Sequence, residues 1–262
     1  MSSAPASVRA SGLAKTYWAT GGAIAALDGI DLAIEPGAFV AVVGPSGCGK
    51  SSLLSILAGL QPASTGTVEI DGAAVAGPHP KMGMIFQSDC LLPWRTVLQN
   101  VLLPFEVRRT DPRAHEPAAR ALLAQVGLAG FEARRPDELS GGMRQRVAIC
   151  RALIQEPGLL LMDEPFGALD ALTREQMTTD LQALWLRIRN TVVFITHGID
   201  EAVFLADRVL VMSPRPGRIA LDLAIDLPRP RRWSEMIEAP AFRRAVRDIR
   251  AAFEAQGVLV AG

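Results

Sequence analysis

Three short stretches of this 262-residue chain have the residue types and spacing for phosphate chemistry. The first is Gly44-Pro45-Ser46-Gly47-Cys48-Gly49-Lys50-Ser51-Ser52, which fits the P-loop pattern G-x-x-x-x-G-K-[ST] at every fixed position. Its glycines let backbone N–H groups approach phosphate oxygens closely. A helix start adds unpaired donors and the positive end of a dipole. Lys50 is then placed to reach the β- and γ-phosphates, and the Ser51 hydroxyl to bind Mg²⁺. A plain glycine turn would need neither the lysine nor the hydroxyl. The second stretch is Asp163-Glu164 at the end of the apolar run Leu159-Leu160-Leu161-Met162. An acid in the place of Asp163 holds Mg²⁺, and one in the place of Glu164 polarises a water for in-line attack on the γ-phosphate. The third is Leu139-Ser140-Gly141-Gly142-Met143-Arg144-Gln145, a helix start with Ser140 as N-cap. An ordinary capped helix explains Ser140 but not the paired glycines, which inside a helix cost about 1 kcal/mol each. They free backbone N–H groups for a second anion contact.

The elements that must carry these residues follow from hydrophobic periodicity. Residues 38–43 form an apolar run leading into the P-loop, and 52–58 repeat at helical spacing after it. Residues 8–37 alternate apolar and polar positions around Gly21-Gly22, Asp28-Gly29 and Pro36-Gly37, predicting two or three short antiparallel strands with Tyr17 in a loop between them. Strands are also expected at 67–70 and 82–86, with Gln87 at the end of the latter. From 90 to 158 the texture is helical, with helices over 97–103, 117–126 and 141–155. A strand at 159–162, a long helix over 172–189, a strand at 192–195 with His197 just beyond, and a short helix at 199–206 follow. Strands at 209–212 and 218–221 close the sheet. A helix over 239–255 forms the tail, and its charges read as a solvated face. The fold class is therefore α/β, with a P-loop core, an antiparallel β subdomain and an inserted α-helical subdomain over about 90–158; the resemblance given below implies that the core is of the P-loop NTPase (RecA-like) kind. The core spans 8–212, and 213–262 supplies closing strands and the helical tail.

Composition narrows the classes. Lys+Arg and Asp+Glu are both 27, so no net charge points to nucleic acid. No apolar run approaches the roughly 18–20 residues that span a bilayer, and the N-terminus lacks the pattern of a secretory signal. Cys48, Cys90 and Cys150 are odd in number and widely spaced, so they suggest neither a disulfide framework nor a metal site, and a reducing setting is the simplest reading. Cys150 reads as a small core residue; Cys90 has no assignment.

Taken together, these motifs resemble the ATP-binding subunits of ABC transporters. Leu139 to Gln145 is similar to the family signature, with Met143 where glutamine is commoner. Gln87 resembles the Q-loop glutamine, Ala168-Leu169-Asp170 the D-loop, His197 the switch histidine and Tyr17 the adenine-stacking aromatic, with Trp18 an alternative ring. Gly198 follows His197 where the family commonly has aspartate. The resemblance implies roles for Gln87 in binding Mg²⁺ or the attacking water, for His197 in holding Glu164 and meeting the γ-phosphate, and for Ser140, Gly141, Gly142 and Asp170 at the nucleotide. It implies a head-to-tail homodimer with ATP at the interface, seated on the cytoplasmic face of a membrane. The apolar stretch 86–97 would receive cytoplasmic helices of permease subunits, and an extracytoplasmic solute-binding protein would act indirectly. Leu91-Leu92-Pro93-Trp94 and residues 163–170 are similar to importers of the nitrate, sulfonate and taurine group. No nucleic-acid partner is expected. Alternatives are an exporter cassette, a soluble ABC ATPase acting on nucleic acid or the ribosome, and a nucleotide kinase or GTPase.

Overall fold

The computed structural model describes residues 4–258, apart from the Ala19 side chain. The chain opens with a hairpin, β1 (Val8–Ala19) against β2 (Gly22–Ile34). Asp28-Gly29 does not interrupt β2, and Tyr17 lies inside β1 opposite Ile24 rather than in a loop. The positive-φ glycines Gly12 and Gly29 sit at shifts of register, so they mark bulges in two long strands instead of turns between short ones. Then come β3 (Phe39–Val43), α1 (Lys50–Leu57), β4 (Thr65–Ile70), β5 (Ala73–Ala74) and β6 (Met82–Ile85). Three helices follow: α2 (Val97–Val107), α3 (Glu116–Gln125) and α4 (Gly141–Leu153). Helix α2 begins on a Thr96/Gln99 capping box and runs past Pro104, where the expected helix stopped, because Phe105 in its last turn is buried. The remainder is β7 (Leu159–Asp163), α5 (Ala171–Ile188), β8 (Thr191–Ile195), α6 (Ile199–Leu205), β9 (Arg208–Met212), β10 (Ile219–Ala224), the short α7 (Trp233–Met236) that periodicity did not indicate, and α8 (Pro240–Ala255).

Two sheets result. Four strands pair antiparallel in the order β2-β1-β4-β5, and six in the order β10-β9-β3-β8-β7-β6. All neighbours in the larger sheet are parallel except β10 against β9. Its central strands are buried on both faces, which is why they read as unbroken apolar runs. Their alternation divides the interior in two. Phe39, Ala41 and Val43 face the helical side, while Val40 and Val42 face α1 and the antiparallel sheet.

The C-terminal segment is tied into this core. Phe242, Ile249 and Phe253 of α8 join the helical-side core. Arg231, 1% exposed, donates to the carbonyls of Val203, Phe204, Ala206 and Leu227, while its backbone N–H donates to Gln182. A buried guanidinium thus closes the C-terminal end of α6, where helix carbonyls lack partners. Burial first, and then neighbouring Arg229, lower its pKa to about 10.

Candidate functional site

The ends of three neighbouring parallel strands gather the chemistry. The P-loop leaves β3, Asp163 ends β7, and the turn with His197 follows β8, which lies between them. Ligand sites of open parallel sheets form at such carboxyl ends. Gly49 has φ +106°, and a Cβ there would sit 2.7 Å from the Ala26 carbonyl and from Leu27. Only glycine therefore lets α1 begin so close to β2. The Lys50 side chain is buried and folded over the loop, donating to Gly44 O at 2.9 Å and Pro45 O at 3.0 Å. An ammonium has three N–H groups, so one is left beyond these two carbonyls.

The Ser51 hydroxyl donates to Asp163 Oδ1 at 3.2 Å, so the first two motifs, distant in sequence, meet directly. Burial pushes the Asp163 carboxyl above its ordinary range; the Ser51 bond and Lys50 oppose that rise, and Glu164 adds to it. The next residue, Glu164, holds a left-handed φ of +46°. That conformation is strained for a non-glycine residue and turns its carboxylate out of the strand line. His197 Nε2 approaches Glu164 Oε1 at 2.6 Å. Gln87 is exposed just beyond β6, where Ile85 pairs with Met162, so it lies at the same sheet edge as Asp163.

Tyr17 is held beside the start of α1, whereas Trp18 is exposed. Successive strand residues face opposite ways. Tyr17 Oη reaches Ser52 Oγ at 3.0 Å and donates to Gln61 Oε1 at 2.7 Å, fixing its ring beside the start of α1. Lys15 Nζ lies 5.0 Å from the ring centroid. Trp18 is 84% exposed.

Ser140 and Asp170 sit at two other helix starts. Ser140 caps α4 by accepting from Met143 N at 3.3 Å. Asp170 caps α5, accepting from Thr173 N at 3.0 Å and its hydroxyl at 2.6 Å, and those bonds lower its pKa. The two starts touch: a Cβ on Gly142 would come within 2.8 Å of Thr173 Cγ2. Among the described residues no hydrogen bond joins Ser140, Gly141 or Gly142 to the P-loop of the same chain. The site thus comes in two parts. One holds residues 44–52, 163–164 and 197; the other presents 140–142 and 170.

Sequence reasoning misses the fasteners that hold the surrounding loops. Arg151 donates to the Asp89 and Cys90 carbonyls at 2.6 Å each, and Arg144 Nε to Asp89 Oδ2 at 3.0 Å. The loop after Gln87 is thereby latched to α4. Glu201, 7% exposed, accepts from the Thr196 hydroxyl, and Thr196 Oγ1 accepts from Gly198 N at 2.9 Å. This brace clamps the turn that carries His197. A carboxylate beside Ala202, Val203 and Phe204, all fully buried, was the available signal.

Residues 27–167 match the ABC transporter family. The taurine import ATP-binding protein of Burkholderia pseudomallei is 49% identical over 81% of this chain and 82% of its own length. The aliphatic sulfonates import ATP-binding protein of Ralstonia nicotianae is 53% identical over 83% of this chain and 72% of its own. Among solved structures, the dimeric form of a bacterial ABC transporter cassette superposes with a TM-score of 0.74 at 32% identity, covering 84% of this chain and all of that one. A cassette dimer in a post-hydrolysis state, bound to ADP and Pi, superposes with a TM-score of 0.72 at 32% identity. Sequence and fold agree, and the chain belongs to the ABC transporter family as an ATP-binding cassette subunit.

Proposed function

We propose that this chain hydrolyses ATP to power a membrane importer of a small anion or organic solute such as nitrate, a sulfonate or taurine. The carrying observation is the contact of Ser51 with Asp163, beside the 2.6 Å pair of His197 and Glu164. The relatives' names, taurine and aliphatic sulfonates import, support the choice of cargo.

ATP is the substrate. Tyr17 offers a ring face to adenine, a stacking worth about 1–3 kcal/mol where it has been measured on nucleic-acid bases. The N–H groups of residues 44–52 and the Lys50 ammonium hold the phosphates. Ser51 and Asp163 place two oxygens 3.2 Å apart at a half-buried acid, which fits a hard divalent cation. Ser51, Asp163 and Gln87 would hold Mg²⁺. When bound, it neutralises charge on phosphate oxygens. Glu164 accepts a proton from water as the water oxygen bonds to the γ-phosphorus. The bond from that phosphorus to the bridging oxygen breaks, giving ADP and phosphate. His197 holds the Glu164 carboxylate in line through Nε2.

The separation of residues 140–142 from the P-loop of the same chain supports a head-to-tail pair. In it, Ser140, Gly141, Gly142 and Asp170 of one copy close over the nucleotide of the other. The dimeric cassette neighbours agree with this. Phe86 and Trp94, 41% and 68% exposed, would meet cytoplasmic helices of the permease at the membrane's inner face, with a solute-binding protein acting from outside. No described helix is long and apolar enough to cross a membrane. The test is reconstitution with the membrane subunits of a sulfonate importer. Uptake of a labelled sulfonate should require ATP and stop in Glu164→Gln; uptake that persists in that variant refutes the reading.

A further inference from the structure

The tail arginines Arg244, Arg247 and Arg250 are exposed, as the sequence suggests. They line a cavity of about 970 Å³ between α5, the start of α6 and α7–α8. That size falls within the usual range for small-molecule sites, roughly 300–1,000 Å³. One side is apolar. Trp233 is stacked on Phe204 with centroids 4.1 Å apart, meets Phe242 edge-on, and donates Nε1–H to Glu175 O, so its ring is fixed as a wall. The other side is cationic. Arg244, Arg247 and Arg250 recur every three residues on α8, so their guanidinium groups share one face. Among the described residues none of the three has an ion-pair partner. Deeper in, Arg174 donates to Leu169 O at 2.9 Å, while its Nε is buried without a partner. The facing acids are Glu175, Asp200 and Glu201, and Glu201 is already engaged by Thr196 and Thr178. Cations are left in excess over a fixed aromatic wall.

We propose that this cavity binds a small amphipathic organic anion, a sulfonate or carboxylate carrying an apolar group, and that the bound anion modulates ATP turnover. The apolar group lies against Trp233 and Phe242, and the anionic head meets Arg244 and Arg247. Guanidinium groups match such oxyanions in planar, charge-assisted pairs. The occupant reaches the catalytic parts through two residues of the wall. Gly198 belongs to the turn that carries His197. Arg174 holds the Leu169 carbonyl, immediately before Asp170. The binding claim goes beyond the ATPase reading and is tested without ATP.

Calorimetry on the full chain, free of nucleotide, uses naphthalene-1-sulfonate and decanoate as probes. Inorganic sulfate and neutral 1-naphthalenemethanol separate head from apolar group. At least one amphipathic anion should bind saturably at one site, about tenfold or more tighter than either control. Arg244→Gln/Arg247→Gln should weaken it about tenfold or more, and Arg247→Lys should weaken it less. Trp233 fluorescence should shift with the probe, and Trp233→Phe should remove that shift. Equal affinity for sulfate, undiminished binding in the double variant, no saturable binding, or competition by ATP would each overturn the site. Capture of the protein by phosphatidylglycerol vesicles without binding of either probe would overturn it as well. Bound probe that leaves wild-type turnover unchanged would overturn the modulation.

Discussion

Removing the His197 side chain should slow turnover while barely touching ATP binding. His197→Ala deletes the donor held 2.6 Å from Glu164. A hydrogen bond to a charged group contributes about 1.5–3 kcal/mol. The His197 side chain is 46% exposed against 16% for Glu164, so water replaces part of the lost contact and the lower end applies. At about 1.4 kcal/mol per tenfold, kcat should fall about 10- to 30-fold. KM for ATP should stay within about threefold, because the contacts of Lys50 and Ser51 are untouched. Glu164→Gln removes the base itself and should cost about 10²–10⁴. The two losses should not add. With Glu164 already neutral, His197→Ala has no base to orient and should cost less than about twofold more. Steady-state phosphate release at saturating ATP, across the four proteins of that cycle, reads all of this. Full additivity would refute the positioning role of His197, as would a loss confined to KM.

Three further outcomes test other parts of the site. Lys50→Ala should weaken ATP binding about tenfold or more, since a charge-assisted phosphate contact disappears; fluorescent-nucleotide titration checks it, and unchanged affinity contradicts the cradle. In the native protein Cys90 should react rapidly with a thiol reagent and the other two cysteines slowly, because Cys90 is exposed while Cys48 and Cys150 are buried. Burial raises both of those thiols, Cys150 to about 12, and rapid labelling of Cys150 without unfolding would contradict the packing. Burial also raises the Glu201 carboxyl above its ordinary 4.5. The folded state then keeps a proton that the unfolded chain releases, so stability falls as pH climbs from 4.5 through the raised folded value. Glu201→Gln should remove that slope, its denaturation midpoint gaining on wild type as pH rises through the raised folded value; parallel curves would contradict it.

Much of this molecule is legible from residue order, for reasons that differ by region. The central strands are buried on both faces, and runs such as Leu159-Leu160-Leu161-Met162 announce that without alignment. The phosphate loop is legible because its chemistry constrains glycine, lysine and hydroxyl at fixed spacing. The hairpin was misread because glycine signals a left-handed φ, and a bulge needs that as much as a turn does: Gly29 sits inside β2. The same error placed Tyr17 in a loop, although its side chain still faces Ser52. The brace from Glu201 to Thr196 and the latch from Arg151 to Asp89 join elements far apart or buried, and no periodicity records such pairs. Arg231 is the extreme case, since its partners are backbone carbonyls that leave no side-chain signature.

The most direct test of shared nucleotide pockets is sedimentation of Glu164→Gln with and without ATP. Blocked turnover should leave γ-phosphate bridging Lys50 of one copy and Ser140 of another, giving a species of twice the chain mass only when ATP is present. Adding Ser140→Arg should abolish that species while leaving ATP bound. A boundary that stays at one chain mass with saturating ATP, or a dimer indifferent to Ser140→Arg, would contradict the shared pocket.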